Sequence, residues 1–321
     1  MKIASKSATS TRDGSALKSL STLALAVIAV FCGASPASAT PLLGSDLASF
    51  TVLGASTVTN VATSVIVGNV GVWSSGGANA ITGFCVSPLV ACSDSQVTGG
   101  QVHAGTALAQ SAQAELTTAR TNLSSLGTGT DLVDPDLTHA GTLSPGVYTV
   151  HSGTTNLSGA LTLDGQGNAN AAWVFQMDSD LITSPNSVVK LIGTGDGAGV
   201  YWNVRSSATI DTNTTFLGNI LALTSIWMNS TATDLCGRAL ADTGAVTLNN
   251  NSLSGSCLGI LTGSGGGSGG FDQGNSGGTG GTGGTGGNAP VPEPATILLL
   301  ASGLLGFVAL RKKGLIKSNH A

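Results

Sequence analysis

Ile182-Thr-Ser-Pro-Asn-Ser-Val188 and Ile210-Asp-Thr-Asn-Thr-Thr-Phe216 share one form. Each runs from an apolar residue, through polar residues with Ser or Thr at fixed places, to a second apolar residue. The form recurs at Met228-Asn-Ser-Thr-Ala-Thr-Asp-Leu235 with one residue more, and at Leu248-Asn-Asn-Asn-Ser-Leu253 with one fewer. The successive intervals are 28, 18 and 20 residues. Periods near 20 predict solenoid coils, each too thin to bury its apolar side without a neighbour. The long first interval contains Gly193–Gly199, which reads as a loop insertion. A β-sandwich with polar turns is the competing fold for this pattern.

The rest of the chain also favours strands, with Val, Ile and Thr runs broken by Gly, Asn, Asp and Ser. One segment differs. Ala104–Leu126 is rich in Ala, Leu and Gln, with no Gly after Gly105 and no Pro. Leu108, Ala112, Leu116, Ala119, Leu123 and Leu126 recur at spacings of four, four, three, four and three. That pattern predicts one amphipathic helix with a single apolar stripe, stopped at Gly127.

Both termini carry signals. Lys2, Lys6, Arg12 and Lys18 precede the apolar run Leu23–Ala34, and Ala37-Ser38-Ala39 supplies the small residues of a signal-cleavage site. Residues 1–39 are therefore read as an export signal. At the other end Val291-Pro292-Glu293-Pro294 precedes the uncharged run Ala295–Leu310 and then Arg311-Lys312-Lys313. Sixteen residues at 1.5 Å rise reach about 24 Å, barely enough for a bilayer core of roughly 30 Å. The basic cluster marks the cytoplasmic end. Pro292, Glu293 and Pro294, then the run, then Arg311, Lys312 and Lys313 resemble the PEP-CTERM sorting tail of Gram-negative bacteria. The resemblance implies an exosortase-type sorting enzyme as a partner, transient anchoring by a membrane helix at 295–310, and a final place at the cell surface or outside it. Residues 263–290 are a Gly/Ser/Thr tract with repeated GGT units. It is too poor in apolar side chains to fold and is expected to be a flexible linker. Residues 40–262 remain as one domain with a sizeable core, and 291–321 as the tail.

Within residues 40–290 only Arg120, Lys190, Arg205 and Arg238 stand against 14 acidic residues, a net charge of −10. Phosphate recognition needs clustered Lys and Arg, so nucleic acid is excluded as a partner. Catalysis is not expected either. His103, His139 and His151 have few carboxylates in pattern around them. Asp178 and Asp180, the nearest approach to a carboxylate pair, read as turn residues, as do Asp164-Gly165 and Asp196-Gly197. No nucleophile elbow, metal-ligand spacing or phosphate loop is present, so no metal and no cofactor are expected. Of the five cysteines, Cys32 leaves with the signal. The other four allow three pairings, and without a CxxC motif disulfides are expected. Cys85 and Cys92 bracket a short loop, and Cys236 and Cys257 span about one coil. Those are the pairs expected.

Six further stretches, in order along the chain, carry a second resemblance: LGSDLASFTVLGASTVTN at Leu43–Asn60, VTGGQVHAGTALAQSAQAELTTA at Val97–Ala119, LSPGVYT at Leu143–Thr149, LTLDGQGNANAAWVFQM at Leu161–Met177, GNILALTSI at Gly218–Ile226 and GRALADTGAVTLNNN at Gly237–Asn251. Together they resemble the ice-binding-like family of bacteria, fungi and diatoms. The resemblance implies a mainly β fold: a right-handed β-solenoid of discontinuous sequence, with one long α-helix packed alongside. It also implies adsorption to an ice crystal surface through one flat face, often with a T-A/G-x-T/N motif. The matching positions are Thr212-Asn-Thr-Thr215, Ser230-Thr-Ala-Thr233 and Asn249-Asn-Asn-Ser252, all of which depart from that motif. The expected contact is the ladder Thr212, Thr215, Ser230, Thr233, Asn250 and Ser252, with Trp227 and Met228 nearby as possible interruptions. The face carrying Thr57 and Thr59 is the other candidate. The alternative function is a structural or adhesive matrix protein, with exopolysaccharide as its partner, that keeps the fold without ice activity.

Overall fold

The computed structural model describes residues 42–74, 80–151, 153–195 and 197–255. Strands of two to six residues stack into three sheets, and every strand pairing within them is parallel. The chain visits the three sheets in turn, coil after coil, so the fold is a three-sided β-solenoid and not a sandwich.

The first sheet has nine strands, in spatial order Val102–Ala104, Asn69–Val72, Phe50–Gly54, Arg238–Ala241, Asn219–Ala222, Gly199–Val204, Ala172–Met177, Gly146–Val150 and Thr130–Asp131. The second has seven: Thr155–Leu157, Leu181–Thr183, Ala208–Ile210, Ile226–Met228, Val246–Leu248, Val58–Asn60 and Ile81–Thr82. The third has eight: Val97–Thr98, Val65–Val67, Ser252–Ser254, Thr233–Asp234, Thr215–Phe216, Val188–Ile192, Ala160–Asp164 and Thr142–Leu143.

Spatial order departs from chain order at one seam. The first coil, 50–67, lies directly against the last, 238–254. Val52 pairs with Ala239, Thr59 with Thr247 and Leu253 with Ile66. Polar side chains tie the seam. Arg238 donates from Nη1 to Asn219 Oδ1 at 2.7 Å and from Nη2 to the Ala48 carbonyl at 3.0 Å. The Asn251 amide donates to Ser64 Oγ at 3.0 Å. The entry to the first coil and the exit from the last meet at one corner. Helix α1, Ser45–Ala48, leads straight into Phe50 on the first sheet. Gly255 follows the third-sheet strand Ser252–Ser254 and donates to the Val67 carbonyl at 3.3 Å.

Helix α2 runs Ala107–Ser125, three residues later at its start than the apolar pattern suggests. Thr106 caps it, with Oγ1 accepting from the Ala109 amide at 3.2 Å. Nineteen residues reach about 28 Å, close to six strand spacings of about 4.8 Å, and the helix does run from the strand Val102–Ala104 to the seventh strand of the first sheet, Ala172–Met177. Gln113 Nε2 donates to the Asp242 carbonyl at 2.8 Å, Arg120 pairs with Asp242 at 2.8 Å, and Gln176 Nε2 donates to the Leu123 carbonyl at 2.5 Å. Its buried face is Ala109, Ala112, Gln113, Leu116, Ala119 and Leu123. Four residues of the expected stripe, Ala112, Leu116, Ala119 and Leu123, are in it; Leu108 is only half-buried and Leu126 is exposed, because the face extends round to Ala109 and Gln113 instead. Leu43, Leu47, Phe50, Leu53, Val174, Tyr201, Leu221 and Leu240 complete this outer core.

The inner core fills the solenoid. Tyr148, Phe175 and Trp202 stack through successive coils, with ring centroids 5.6 and 4.2 Å apart, and Phe216 lies 5.0 Å from Trp202. Ile210, Met228 and Leu248 share one inward register, as the repeats predict. Two repeat ends are shifted by one. Leu181 pairs with Ala208, an interval of 208 − 181 = 27 residues, so Ile182 faces solvent and Thr183 lies inward. Asp234, not Leu235, takes the inward place between Phe216 and Leu253.

Cys85 and Cys92 are bonded to each other. Their loop covers the outermost first-sheet strand: Leu89 donates to the Ala104 carbonyl at 3.1 Å and Cys92 to the Val102 carbonyl at 3.0 Å. Cys236 is buried and disulfide-bonded, its partner lying outside the described residues; Cys257 is outside them too. So are Ala37, Ala39, Pro292, Glu293, Pro294, Arg311, Lys312, Lys313 and the expected membrane helix at 295–310. Among the described residues no helix is long and apolar enough to cross a membrane.

Candidate functional site

Helix α2 covers the first sheet, which leaves two faces of the solenoid open. On the seven-stranded sheet each three-residue strand buries its outer residues and turns its central one to solvent, and the two-residue strand Ile81–Thr82 turns Thr82 outward. Short apolar–Thr–apolar triplets such as Ala208-Thr-Ile210 and Val246-Thr-Leu248 dictate this, since successive side chains alternate across a strand. Pairing then sets the central residues in one row: Asn156, Ile182, Thr209, Trp227, Thr247, Thr59 and Thr82. Thr82 Oγ1 and Thr59 Oγ1 lie 3.2 Å apart in a hydrogen bond. β-Branching fixes χ1 of each Thr, so methyl and hydroxyl are presented at regular strand spacing. The strands of this sheet contain no Lys, Arg, Asp or Glu. At its margin, Asp211 accepts from Asn229 Nδ2 at 2.9 Å and from the Thr212 amide at 2.7 Å, which hold its carboxyl below the usual range.

The expected ladder lies at the neighbouring corner and on the third sheet. Thr215, Thr233 and Ser252 share one register there. Val188 precedes them and Val65 follows, so the polar row is three residues long. Thr212 and Ser230 form a separate row on the turn, with Asn249 as its next member: the amides of Asn213 and Thr231 donate to the Ser230 and Asn249 carbonyls. Asn250 is one position off. It stands with Asn186, Asn213 and Thr231, all at left-handed φ of 63°, 58°, 62° and 54° in chain order. These side chains bond along the corner, Asn213 to Asn186 at 3.4 Å and Thr231 to Asn213. The third sheet also exposes Lys190 and Ile192 beside its Thr row. Met228 is buried and interrupts neither face, whereas Trp227 stands in the middle of the seven-stranded one.

Thr82, Thr209, Thr247 and Asn156 lie outside the sequence-based ladder. Their only signal is the central place in a short strand, which one triplet alone cannot reveal.

The charged residues do other work. Asp131 ends one first-sheet strand, His151, Asp178 and Arg205 follow the next three, and the four link in a chain: His151 to Asp131 at 3.1 Å and to Asp178 at 3.2 Å, and Arg205 to Asp178 at 3.2 Å. Hydrogen bonds to Asp178 and then Asp131 raise the His151 pKa. Asp180 Oδ1 caps a turn by accepting from the Ser207 amide at 2.9 Å. Among the described residues no group of three or more His, Cys, Asp or Glu is placed to hold a metal ion.

One face of this β-solenoid is covered by a helix, and another carries an in-register row rich in Thr. The chain belongs to the ice-binding-like family, whose model matches residues 52–254. A second match, at residues 290–313, is the PEP-CTERM protein-sorting motif. An ice-binding protein of Nostoc sp. (strain HG1) is 40% identical over 235 residues, covering 73% of this chain and 81% of that one. One from Flavobacterium frigoris (strain PS1) is 31% identical over 216 residues, covering 64% and 74%. Among solved structures, an ice-binding protein from an Antarctic biological consortium superposes with a TM-score of 0.56 at 32% identity, covering 67% of this chain and 91% of its own.

Proposed function

We propose that this chain is an exported ice-binding protein that adsorbs to ice through the open seven-stranded face. The in-register row Thr209, Thr247, Thr59 and Thr82 carries the reading. A row of rigid hydroxyls and methyls on a sheet without charged residues can order water in a lattice instead of dispersing it. The relatives named above support ice as the target. The sorting motif supports export, by way of an exosortase-type enzyme and a membrane-anchored intermediate held by helix 295–310 in a Gram-negative envelope. Right-handed winding follows from the strong preference of parallel crossovers for that hand.

The third-sheet row Thr215, Thr233 and Ser252 supports a second contact, because it too is in register. Ice-affinity partitioning and thermal hysteresis of the exported protein decide between the two. Thr247→Tyr is expected to abolish activity and Thr233→Tyr to leave it, both with melting temperatures near wild type, since exposed substitutions usually cost within about 0.5 kcal/mol. The reverse result moves the site to the third sheet. A wild type that neither partitions into ice nor shows hysteresis removes the ice reading and leaves the matrix role.

A further inference from the structure

Trp227 occupies a Thr place. It pairs in register with Thr209 on one side and Thr247 on the other, and it is 43% exposed. Its strand neighbours Ile226 and Met228 fill the inward positions, so the indole has nowhere to go but out. The row is therefore divided. Thr247, Thr59 and Thr82 form an unbroken block on one side. Thr209 stands alone on the other, followed by Ile182 and Asn156. At about 4.8 Å per strand the unbroken block is about 10 Å long. A fourth threonine in place of the indole joins Thr209 to it and extends it to about 19 Å.

We propose that Trp227 is the residue that sets the strength of ice adsorption in this chain. The inference rests on the seven-stranded face being the ice contact. A threonine side chain ends one heavy atom beyond Cβ, whereas an indole carries a bicyclic ring beyond the same atom. The Trp227 ring therefore rises above the Thr plane and holds a rigid lattice away from the residues on either side. Adsorption is left to one short block, which suits slowing of crystal regrowth more than strong arrest of crystal growth.

The test compares exported wild type, Trp227→Thr, Trp227→Ala and Thr247→Tyr by thermal hysteresis, ice-affinity partitioning and thermal melting. Trp227→Thr is expected to raise hysteresis at equal concentration by about twofold or more, following the doubled block length. Trp227→Ala should gain less, since it restores flatness without the methyl and hydroxyl. Melting should hold in both, because the ring contributes nothing to the inner core. With wild type active and Thr247→Tyr inactive, unchanged or reduced hysteresis in Trp227→Thr overturns the proposal. If Thr247→Tyr stays fully active, the face assignment fails and the proposal with it. If both wild type and Trp227→Thr lack ice activity, the function reading itself is overturned.

Discussion

Replacing Asp234 with Asn should change how stability depends on pH. The Asp234 carboxyl is fully buried between Phe216 and Leu253 and makes no hydrogen bond of normal geometry, although the backbone amides of Gly218 and Cys236 lie nearby. Burial pushes its pKa up to about 8, against the weaker pull of those amides and of Arg238. An unfolded Asp ionises near pH ~3.9. Between those values the folded chain keeps a proton that the unfolded chain has released. The stabilisation is therefore fully present below pH ~4, falls at up to about 1.4 kcal/mol per pH unit, and is gone above about 8. From pH ~5 to ~7 that amounts to about 3 kcal/mol for this one group. Asn keeps the shape and cannot ionise. Urea unfolding of wild type and Asp234→Asn at pH ~5, ~6, ~7 and ~8 measures the difference. The stability of the variant relative to wild type should climb by about 3 kcal/mol between pH ~5 and ~7. The exposed histidines titrate in the same window but are common to both proteins, so they cancel. Parallel pH profiles would refute the buried neutral acid.

Thr231 holds a left-handed φ of 62° that a β-branched residue rarely adopts, while its neighbours in that row are Asn. Thr231→Asn should stabilise by about 0.5–1 kcal/mol, read as a melting-temperature rise of about 1–4 °C; a fall would show that its hydrogen bonds outweigh the backbone strain. Arg238→Met strands the acceptors on Asn219 and Ala48 at the seam and should cost about 2–4 kcal/mol; a cost below about 0.5 kcal/mol would mean that the seam is held by strand pairing alone. Intact-mass analysis of the product from its native host should find a chain that begins at Thr40 and ends near Val291–Pro294. A mature species still carrying Arg311–Lys313 would end the sorting proposal.

Parts of this architecture were legible because one physical rule dominated them. The helix stood out by its lack of Gly and its spacing of three and four, and Ala112, Leu116, Ala119 and Leu123 of its expected stripe are buried, with Ala109 and Gln113 in place of Leu108 and Leu126. Gln113 is buried only because its amide reaches the carbonyls of Ala241 and Asp242, 128 and 129 residues away. The repeat register held where apolar residues anchor both sides, as at Ile210, Met228 and Leu248, and slipped where the inward residue is Thr183 or Asp234. The seam could not be read from residues alone. Val58-Thr-Asn60 and Val246-Thr-Leu248 show nothing of their pairing, and only the family resemblance pointed to a discontinuous solenoid. The same holds for the Thr row. Its members are scattered from Thr59 to Thr247, and Ile182 and Trp227 dilute the pattern.

The seam also decides how this molecule can be held. Phe50 lies on the third of nine first-sheet strands and Ser254 on the third of eight in the third sheet, both toward one end of the solenoid and both at the corner these sheets share. In a three-sided body that corner is the one opposite the seven-stranded face. A load applied at Phe50 or Ser254 acts behind the Thr row and off-centre, like a handle fixed toward one end of the back of a brush. Attachment on that side leaves the Thr row uncovered. An anchor at a tip of the body would let it swing, and one on the row itself would bury it. The order in which the coils are laid down thus keeps the points of attachment off the Thr row.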